Sequence, residues 1–317
     1  MKKLFSVLLL IALTASLLTA CSGGSTTESS GGSSSAPSST TESNSGSTSS
    51  PSSTAFNSAK DISVVSREEG SGTRGAFIEL FGIEQKNDDG TKKDLTTKEA
   101  IIAKQTDVMM TNISGDFYAI GYISLGSLND TVTAVQIEGV APTAENVKNE
   151  TYPIARPFNI ATKAEISALA KDFISFILSS EGQTVVANSY IAVTEAAPAY
   201  AGNKPSGKIV VAGSSSVTPI MEKLKEAYLV INPDATIEIQ MSDSSAGVTG
   251  AIDGTCDIGM ASRALKDSEL EQLISTQIAL DGIAVIVNHE NPITNLTKEE
   301  AKAIFTGETL TWSEAIR

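Results

Sequence analysis

Ile62-Ser63-Val64-Val65-Ser66-Arg67-Glu68-Glu69-Gly70-Ser71-Gly72-Thr73-Arg74 passes from a β-branched apolar run into a glycine- and hydroxyl-rich turn, and Gly75 to Phe81 continues it with helical spacing. Strand, small polar turn and helix follow one another within twenty residues. Lys208 to Ala212, Gly213-Ser214-Ser215-Ser216 and Val217 to Val230 repeat the design, with Pro219 in the first helical turn, where its missing N–H costs nothing. A third copy joins Thr236 to Met241, Ser242-Asp243-Ser244-Ser245-Ala246-Gly247 and a short helix over Thr249 to Ile252. Helix N-termini carry unpaired N–H groups and partial positive charge. Hydroxyls add donors of adjustable direction, and glycine lets the backbone come close. Taken singly, such turns are ordinary helix caps. Three of them with Arg67, a planar and permanently charged fork, point to a tetrahedral oxyanion.

The rest of the chain alternates short apolar runs with helical patterns, which predicts an α/β fold. Strands are expected at Ala119 to Leu125, Asp257 to Met260 and Gly282 to Asn288. Helices are expected over Thr97 to Lys104 and over Ala164 to Leu178, where Ile166, Leu169, Phe173, Phe176 and Ile177 share one face. Thr297-Lys298-Glu299-Glu300 is a capping box for a helix running through Phe305 and stopped by Gly307. About 260 residues after position 57 suffice for two lobes of ordinary size.

The first residues belong to targeting, not to the fold. Lys2 and Lys3 precede an apolar stretch, Leu4 to Leu18, too short to cross a bilayer comfortably. Leu18-Thr19-Ala20-Cys21 resembles a bacterial lipobox, which implies a signal peptide over 1–21 and lipidation of Cys21. Residues 22–57, almost all Ser, Gly, Thr and Pro, are expected to form a disordered tether with a reach of roughly 30–40 Å.

The chain carries 23 Lys+Arg against 37 Asp+Glu, a net charge of -14. Lys2 and Lys3 cancel Glu28 and Glu42, so the whole excess falls after residue 57. That argues against nucleic acid and anionic membrane surfaces as partners, while leaving a local anion site open. Cys256 has no disulfide partner once Cys21 is assigned to the lipobox, and its apolar surroundings predict a buried, inert thiol. A serine hydrolase needs a base, and the one histidine, His289, sits in a surface-type turn. His/Asp clusters for a metal are absent from the sequence pattern, so neither an enzyme nor a metal or other cofactor is expected.

Lys208 to Pro219 resembles the opening motif of the phosphate-binding lipoproteins of bacterial high-affinity phosphate ABC transporters. Ser242 to Gly247, Asp257 to Arg263, Phe305-Thr306-Gly307 with Trp312, Ser66 to Thr73, Ala119 to Tyr122 and Tyr152 to Phe158 are similar to further motifs of that family. The resemblance implies a periplasmic-binding-protein-like fold of type II, two α/β lobes joined by two crossover strands. It implies phosphate contacts from Ser215, Ser216, Ser244, Ser262, Arg67, Ser71, Gly72 and Thr73. Many family members place an aspartate where this chain has Ser262-Arg263, so Asp243, or Ser262 itself, is the candidate proton acceptor. Glu69 is expected to orient Arg67 through a salt bridge.

The order of the motifs departs from the family. Its second half comes first here, residues 58 to about 204, which is the pattern of a circular permutation with Lys204 to Gly207 joining the old ends. The expected lobes are then 156–282, contiguous, and 58–155 with 283–317. Hinges are expected near Gly282-Ile283 and Ile154-Ala155. The implied activity is capture of inorganic phosphate outside a membrane and delivery to a permease. Another oxyanion such as sulfate or molybdate, or a non-transport phosphate sensor, is the alternative. A monomer and a lobe-exchanged dimer both fit.

Overall fold

The computed structural model describes residues 56–87, 91–194 and 196–315. The expected signal peptide, Cys21 and the tether up to residue 55 lie outside the described residues.

Chain order begins with β1 (Ser63–Arg67), α1 (Gly72–Leu80), an antiparallel pair of β2 (Glu84–Lys86) and β3 (Lys92–Asp94), β4 (Ile101–Ala103), α2 (Thr106–Gly115) and β5 (Ala119–Ser124). A 3-10 turn (Leu125–Ser127), β6 (Thr133–Ile137), α3 (Ala144–Lys148), β7 (Ala155–Thr162), α4 (Ala168–Ile177) and α5 (Ser180–Ala187) follow. Next come β8 (Gly207–Ser214), α6 (Thr218–Ile231), β9 (Ala235–Ser242), α7 (Ser244–Asp253), β10 (Ile258–Ala261) and α8 (Asp267–Leu270). The chain closes with β11 (Ile274–Val287), β12 (Asn295–Leu296), α9 (Lys298–Thr306) and α10 (Trp312–Ala315).

One sheet runs β4-β1-β5-β11-β7-β10-β8-β9, with β6 on β11 and β12 on β6. Both ends of this path are parallel: β1 with β4 and β5, and β8 with β9 and β10. The middle is antiparallel, and β11 is its pivot. Ile274 to Gly282 pairs with β7, and Ile283 to Val287 pairs with β5. The partner changes between Gly282 and Ile283, at the expected crossover.

The core follows the same division. Phe158, Ile160, Phe173, Ile209, Leu224 and Ile278 belong to one buried cluster. Phe77, Tyr122, Val135, Ile283, Phe305 and Trp312 belong to another. β11 contributes to both, so it passes from one core to the other within a single strand. The lobes of the α/β fold are built by residues distant in sequence. Ile62 N–H donates to the Leu310 carbonyl at 2.8 Å, and Ser313 N–H to Ser58 at 2.7 Å. Phe56, at the end of the stretch read as tether, packs on Tyr118 and Trp312 with ring centroids 5.1 Å and 6.1 Å away. The folded part therefore begins by residue 56, because that ring has an apolar surface to cover.

Local signals explain most boundaries. Thr297 and Glu300 form the expected capping box of α9, and Gly307 ends it at φ 77°. The helix expected over Thr97 to Lys104 is not formed. Ile101 to Ala103 is a strand paired with Val65 to Arg67, and the helix starts at Thr106. Two successive β-branched isoleucines favour an extended chain, and the edge of β1 satisfies their backbone.

The segment 200–207 is held by Asp172 on α4. Its carboxylate accepts from Tyr200 (2.5 Å), Tyr228 (2.7 Å) and the Asn203 amide (2.7 Å). Burial opposes its charge, but these hydrogen bonds outweigh burial and hold the carboxyl below its ordinary range. Asp172→Asn should destabilise the fold by about 1–3 kcal/mol, the cost of mismatching buried donors. A lowered folded-state value stabilises above the unfolded value of about 4 and is lost below it, so the difference in thermal unfolding should shrink on acidification.

Candidate functional site

The three strand-turn-helix units meet at one place. β1 delivers Arg67, which is 2% exposed. Its Nε donates to Glu68 Oε2 at 2.9 Å and to the Ala103 carbonyl at 3.1 Å. Its Nη2 donates to Glu68 Oε1 at 2.7 Å and to Ser215 Oγ at 3.0 Å. Nη1 is buried and has no hydrogen-bond partner. A buried, unsatisfied guanidinium nitrogen is costly unless something completes it. Glu68, and not Glu69, is the carboxylate that grips Arg67. β1 stops at Arg67 and the chain turns, with the Ser71 amide on the Glu68 carbonyl at 3.1 Å, which leaves Glu69 exposed.

The backbone around Arg67 is pinned from two sides. Tyr122 Oη accepts from the Arg67 amide at 3.2 Å and shares a hydrogen bond with Ser66 Oγ at 2.8 Å. Burial raises the Tyr122 phenol above its ordinary value, so it stays neutral. Arg74 Nη1 donates to the Arg67 carbonyl at 2.6 Å, and Arg74 Nη2 is held by Asp94 Oδ2 at 2.8 Å.

The next turn opens α1. Ser71 is its N-cap, accepting from the Arg74 amide at 3.3 Å, and Ser71, Gly72 and Thr73 are all buried. Thr73 Oγ1 lies 2.8 Å from Ser216 Oγ, across from α1 to the turn after β8. Ser215 Oγ also lies 3.3 Å from Thr106 Oγ1, in the first turn of α2. Ser214 Oγ donates to Ser262 Oγ at 3.0 Å, Ser262 Oγ lies 3.3 Å from Ser244 Oγ, and the Ser262 amide donates to Ser244 Oγ at 3.0 Å. Gly213 takes φ 132° at the end of β8, and a Cβ there would sit 2.4 Å from the Met260 carbonyl. That close approach stacks the β8 turn against β10.

The eight residues expected to contact an anion are therefore in this cluster, and Asp243 is on its border. Ser215, Ser216, Ser244, Ser262, Ser71, Gly72, Thr73 and Arg67 are buried together. Asp243 is half-buried and caps α7, its Oδ1 accepting from the Ala246 amide at 2.8 Å, and it faces Gly70. Arg263 turns away to a two-point contact with Glu269 (2.8 Å each), so Ser262 is the member of that pair facing the cluster. Thr106, Ser214 and Glu68 escaped the sequence reading. Only Ser214 carried a local signal there, as the first hydroxyl of its turn. His289 is exposed, with Nδ1 2.7 Å from Thr133 Oγ1 and Nε2 2.6 Å from the Asp130 carbonyl oxygen, and the hydrogen bonds it makes go neither to these serines nor to Arg67. Cys256 is buried, and burial pushes its thiol up. Among the described residues, no three His, Cys, Asp or Glu side chains gather as a metal site would require, and no helix is long and apolar enough to cross a membrane.

The model of the PBP superfamily domain matches residues 40–181 and 198–316. Phosphate-binding protein PstS 2 of Streptococcus agalactiae serotype V is 53% identical over 261 residues, 81% of this chain and 89% of that protein. The crystal structure of a phosphate ABC transporter phosphate-binding protein from Streptococcus pneumoniae TIGR4 superposes with a TM-score of 0.65 at 45% identity, covering 80% of this chain and 99% of that one. Phosphate-binding protein PstS of Bacillus subtilis is 32% identical over 114 residues, only 35% of this chain and 38% of its own.

The two sides of the cluster are packed tightly. A Cβ on Gly72 would stand 2.5 Å from Ser244 Oγ and 2.8 Å from Ser262 Oγ. Gly72→Ala should improve helix propensity in α1 yet force the two sides apart. A larger radius of gyration by small-angle X-ray scattering, with unchanged helical content by circular dichroism, is the expected result.

Proposed function

This chain belongs to the PBP superfamily and, within it, to the PstS phosphate-binding proteins, and from that membership we propose that it binds inorganic phosphate between its two lobes for delivery to an ABC-transporter permease. Arg67 carries the proposal. Its buried Nη1 has no hydrogen-bond partner, while its Nη2 meets Ser215 of the hydroxyl cluster, and an anion bound there would satisfy it. Arg67, Ser71, Gly72 and Thr73 supply one wall, and Ser215, Ser216, Ser244 and Ser262 the other. Charge-assisted hydrogen bonds in a dry site supply the affinity, and the overall charge of -14 does not oppose them at such short range. The reading is of a binder, which the names of the similar proteins support: they are phosphate-binding proteins.

The lobes in this reading are 58–155 with 283–317, and 156–282, and they close by bending where β11 exchanges β7 for β5. Cys21 is the lipid anchor, and the Ser/Gly-rich tether places the folded part on the extracellular face of the membrane. The motif order is that of a circular permutation. Supporting it, Phe56 to Ile62 runs beside Leu310 to Ala315. The Streptococcus agalactiae relative aligns over 89% of its length and the Bacillus subtilis protein over 38% of its own, so on this reading the order is shared with the former.

Titration calorimetry of purified 56–317 with phosphate, and sulfate as competitor, tests the ligand. Tight phosphate binding is expected. Sulfate winning instead would give the site to another oxyanion, a reading that gains from Ser262 and Asp243, since the cluster holds no free carboxylate. Arg67→Ala should weaken phosphate binding by about 2–5 kcal/mol, the cost of removing one partner of a buried charge contact. Unchanged affinity would take Arg67 out of the site.

A further inference from the structure

β7 and β11 carry a second buried charge contact, directly opposite each other in the ladder. Arg156 is 3% and Asp281 1% exposed, and they are register partners one residue before β11 changes neighbours. Arg156 Nη2 lies 3.2 Å from Asp281 Oδ2. Arg156 Nη1 donates to the Ser262 carbonyl at 3.0 Å. Asn159, also on β7, donates to the next carbonyl, Arg263, at 2.9 Å. The other carboxylate oxygen, Asp281 Oδ1, accepts from the Gly126 amide at 3.2 Å, in the turn after β5. Tyr190 closes that turn, since a Cβ on Gly126 would lie 2.2 Å from its ring. One ion pair thus joins both crossover strands, the β5 turn and the main chain of Ser262.

A buried pair is seldom the most stable filling of such a space. Well-packed apolar residues often do as well or better, whereas removing one partner alone is strongly destabilising. What apolar residues could not do is hold the Ser262 carbonyl to the point where β11 switches partners.

We propose that the Arg156–Asp281 pair is a positioning device for the anion site, coupling the crossover strands to Ser262 and setting how tightly the closed lobes hold their anion. Neither residue touches the anion in this scheme. The role rests on the phosphate reading above.

The coupling depends on Asp281 being ionised. Burial raises its carboxyl to about 6, against the opposing pull of Arg156, Ser124 and the Gly126 amide. The groups facing it are Arg156 from β7, Ser124 from β5 and Tyr190 from the segment after α5. Glu145 and Lys148 lie on α3, which packs on β11, and the Arg67 charge is felt at Arg156. Protonation removes the charge that holds Arg156. Phosphate binding should therefore weaken as pH falls through about 6, beyond what the protonation of phosphate itself produces.

The test is phosphate titration of wild type, Asp281→Asn and the double variant Arg156→Met/Asp281→Leu at several values between pH 7.5 and pH 5, with thermal unfolding alongside. Asp281→Asn should bind about 10- to 100-fold more weakly at neutral pH, the range for removing a supporting residue behind a bound ion, and should lose the extra acid weakening. The double variant should fold with unfolding temperature kept or raised and still bind weakly. If it recovers wild-type affinity and pH profile, the pair is structural only and the proposal fails. Should both variants fail to fold, the wild-type profile decides, and a profile accounted for by phosphate protonation alone overturns the proposal. Wild-type protein that binds no phosphate at all overturns the reading beneath it, and the proposal with it.

Discussion

A permanently charged side chain held out of water is the constraint around which this molecule is arranged. Arg67 cannot shed its proton, so its burial must be met by partners. Glu68, the Ala103 carbonyl and Ser215 meet part of it. Each comes from a different element: the turn after β1, the edge strand β4 and the turn after β8. The edge pairing of β4, the turn that swings Glu69 outward and the approach of β8 all serve the same guanidinium. These partners leave the buried Nη1 without a hydrogen bond, and on the phosphate reading the anion is what completes it.

The sequence made the architecture readable wherever the cause was local. Strand, turn and helix at Ser63–Leu80, Gly207–Ile231 and Ala235–Asp253 follow from β-branched runs, small turn residues and helical spacing. The capping box and terminal glycine of α9 are likewise short-range chemistry. The hydroxyl residues of the candidate site were legible because those turns advertise them. What was not legible depends on pairing across the chain. Ile101 to Ala103 becomes a strand only because the edge of β1 is there to receive it. Thr106 enters the cluster only because α2 is carried beside Ser215. Whether Glu68 or Glu69 grips Arg67 turns on where β1 ends, a boundary of one residue. Arg156 and Asp281, 125 positions apart, give no local hint of each other.

Order along the chain matters less here than adjacency in space. The parallel ends of the sheet need each strand-turn-helix unit intact, and the pivot needs β11 and β7 side by side. Neither demand fixes which half is synthesised first. The connection at 200–207 is tied by Asp172 and Asn232, and Phe56 meets Trp312 in an aromatic contact; on the permutation reading these are the two junctions. On that reading a rearranged chain keeps its cores because the bonds at each junction stay local.

On the phosphate reading, Ser262 bears on what kind of selectivity such a site has. A fixed carboxylate beside an anion repels it unless a proton is shared, and so favours a protonated ligand. A hydroxyl does not impose that rule, since it donates or accepts as its neighbour requires. Here Ser262 already accepts from Ser214 and lies within reach of Ser244, while its carbonyl is held by Arg156. Asp243, the nearest candidate carboxylate, is committed to the Ala246 amide as a helix cap. On the phosphate reading, discrimination between singly and fully ionised oxyanions must then come from how the hydroxyl chain is oriented and how tightly the lobes close, and both converge on the main chain at Ser262.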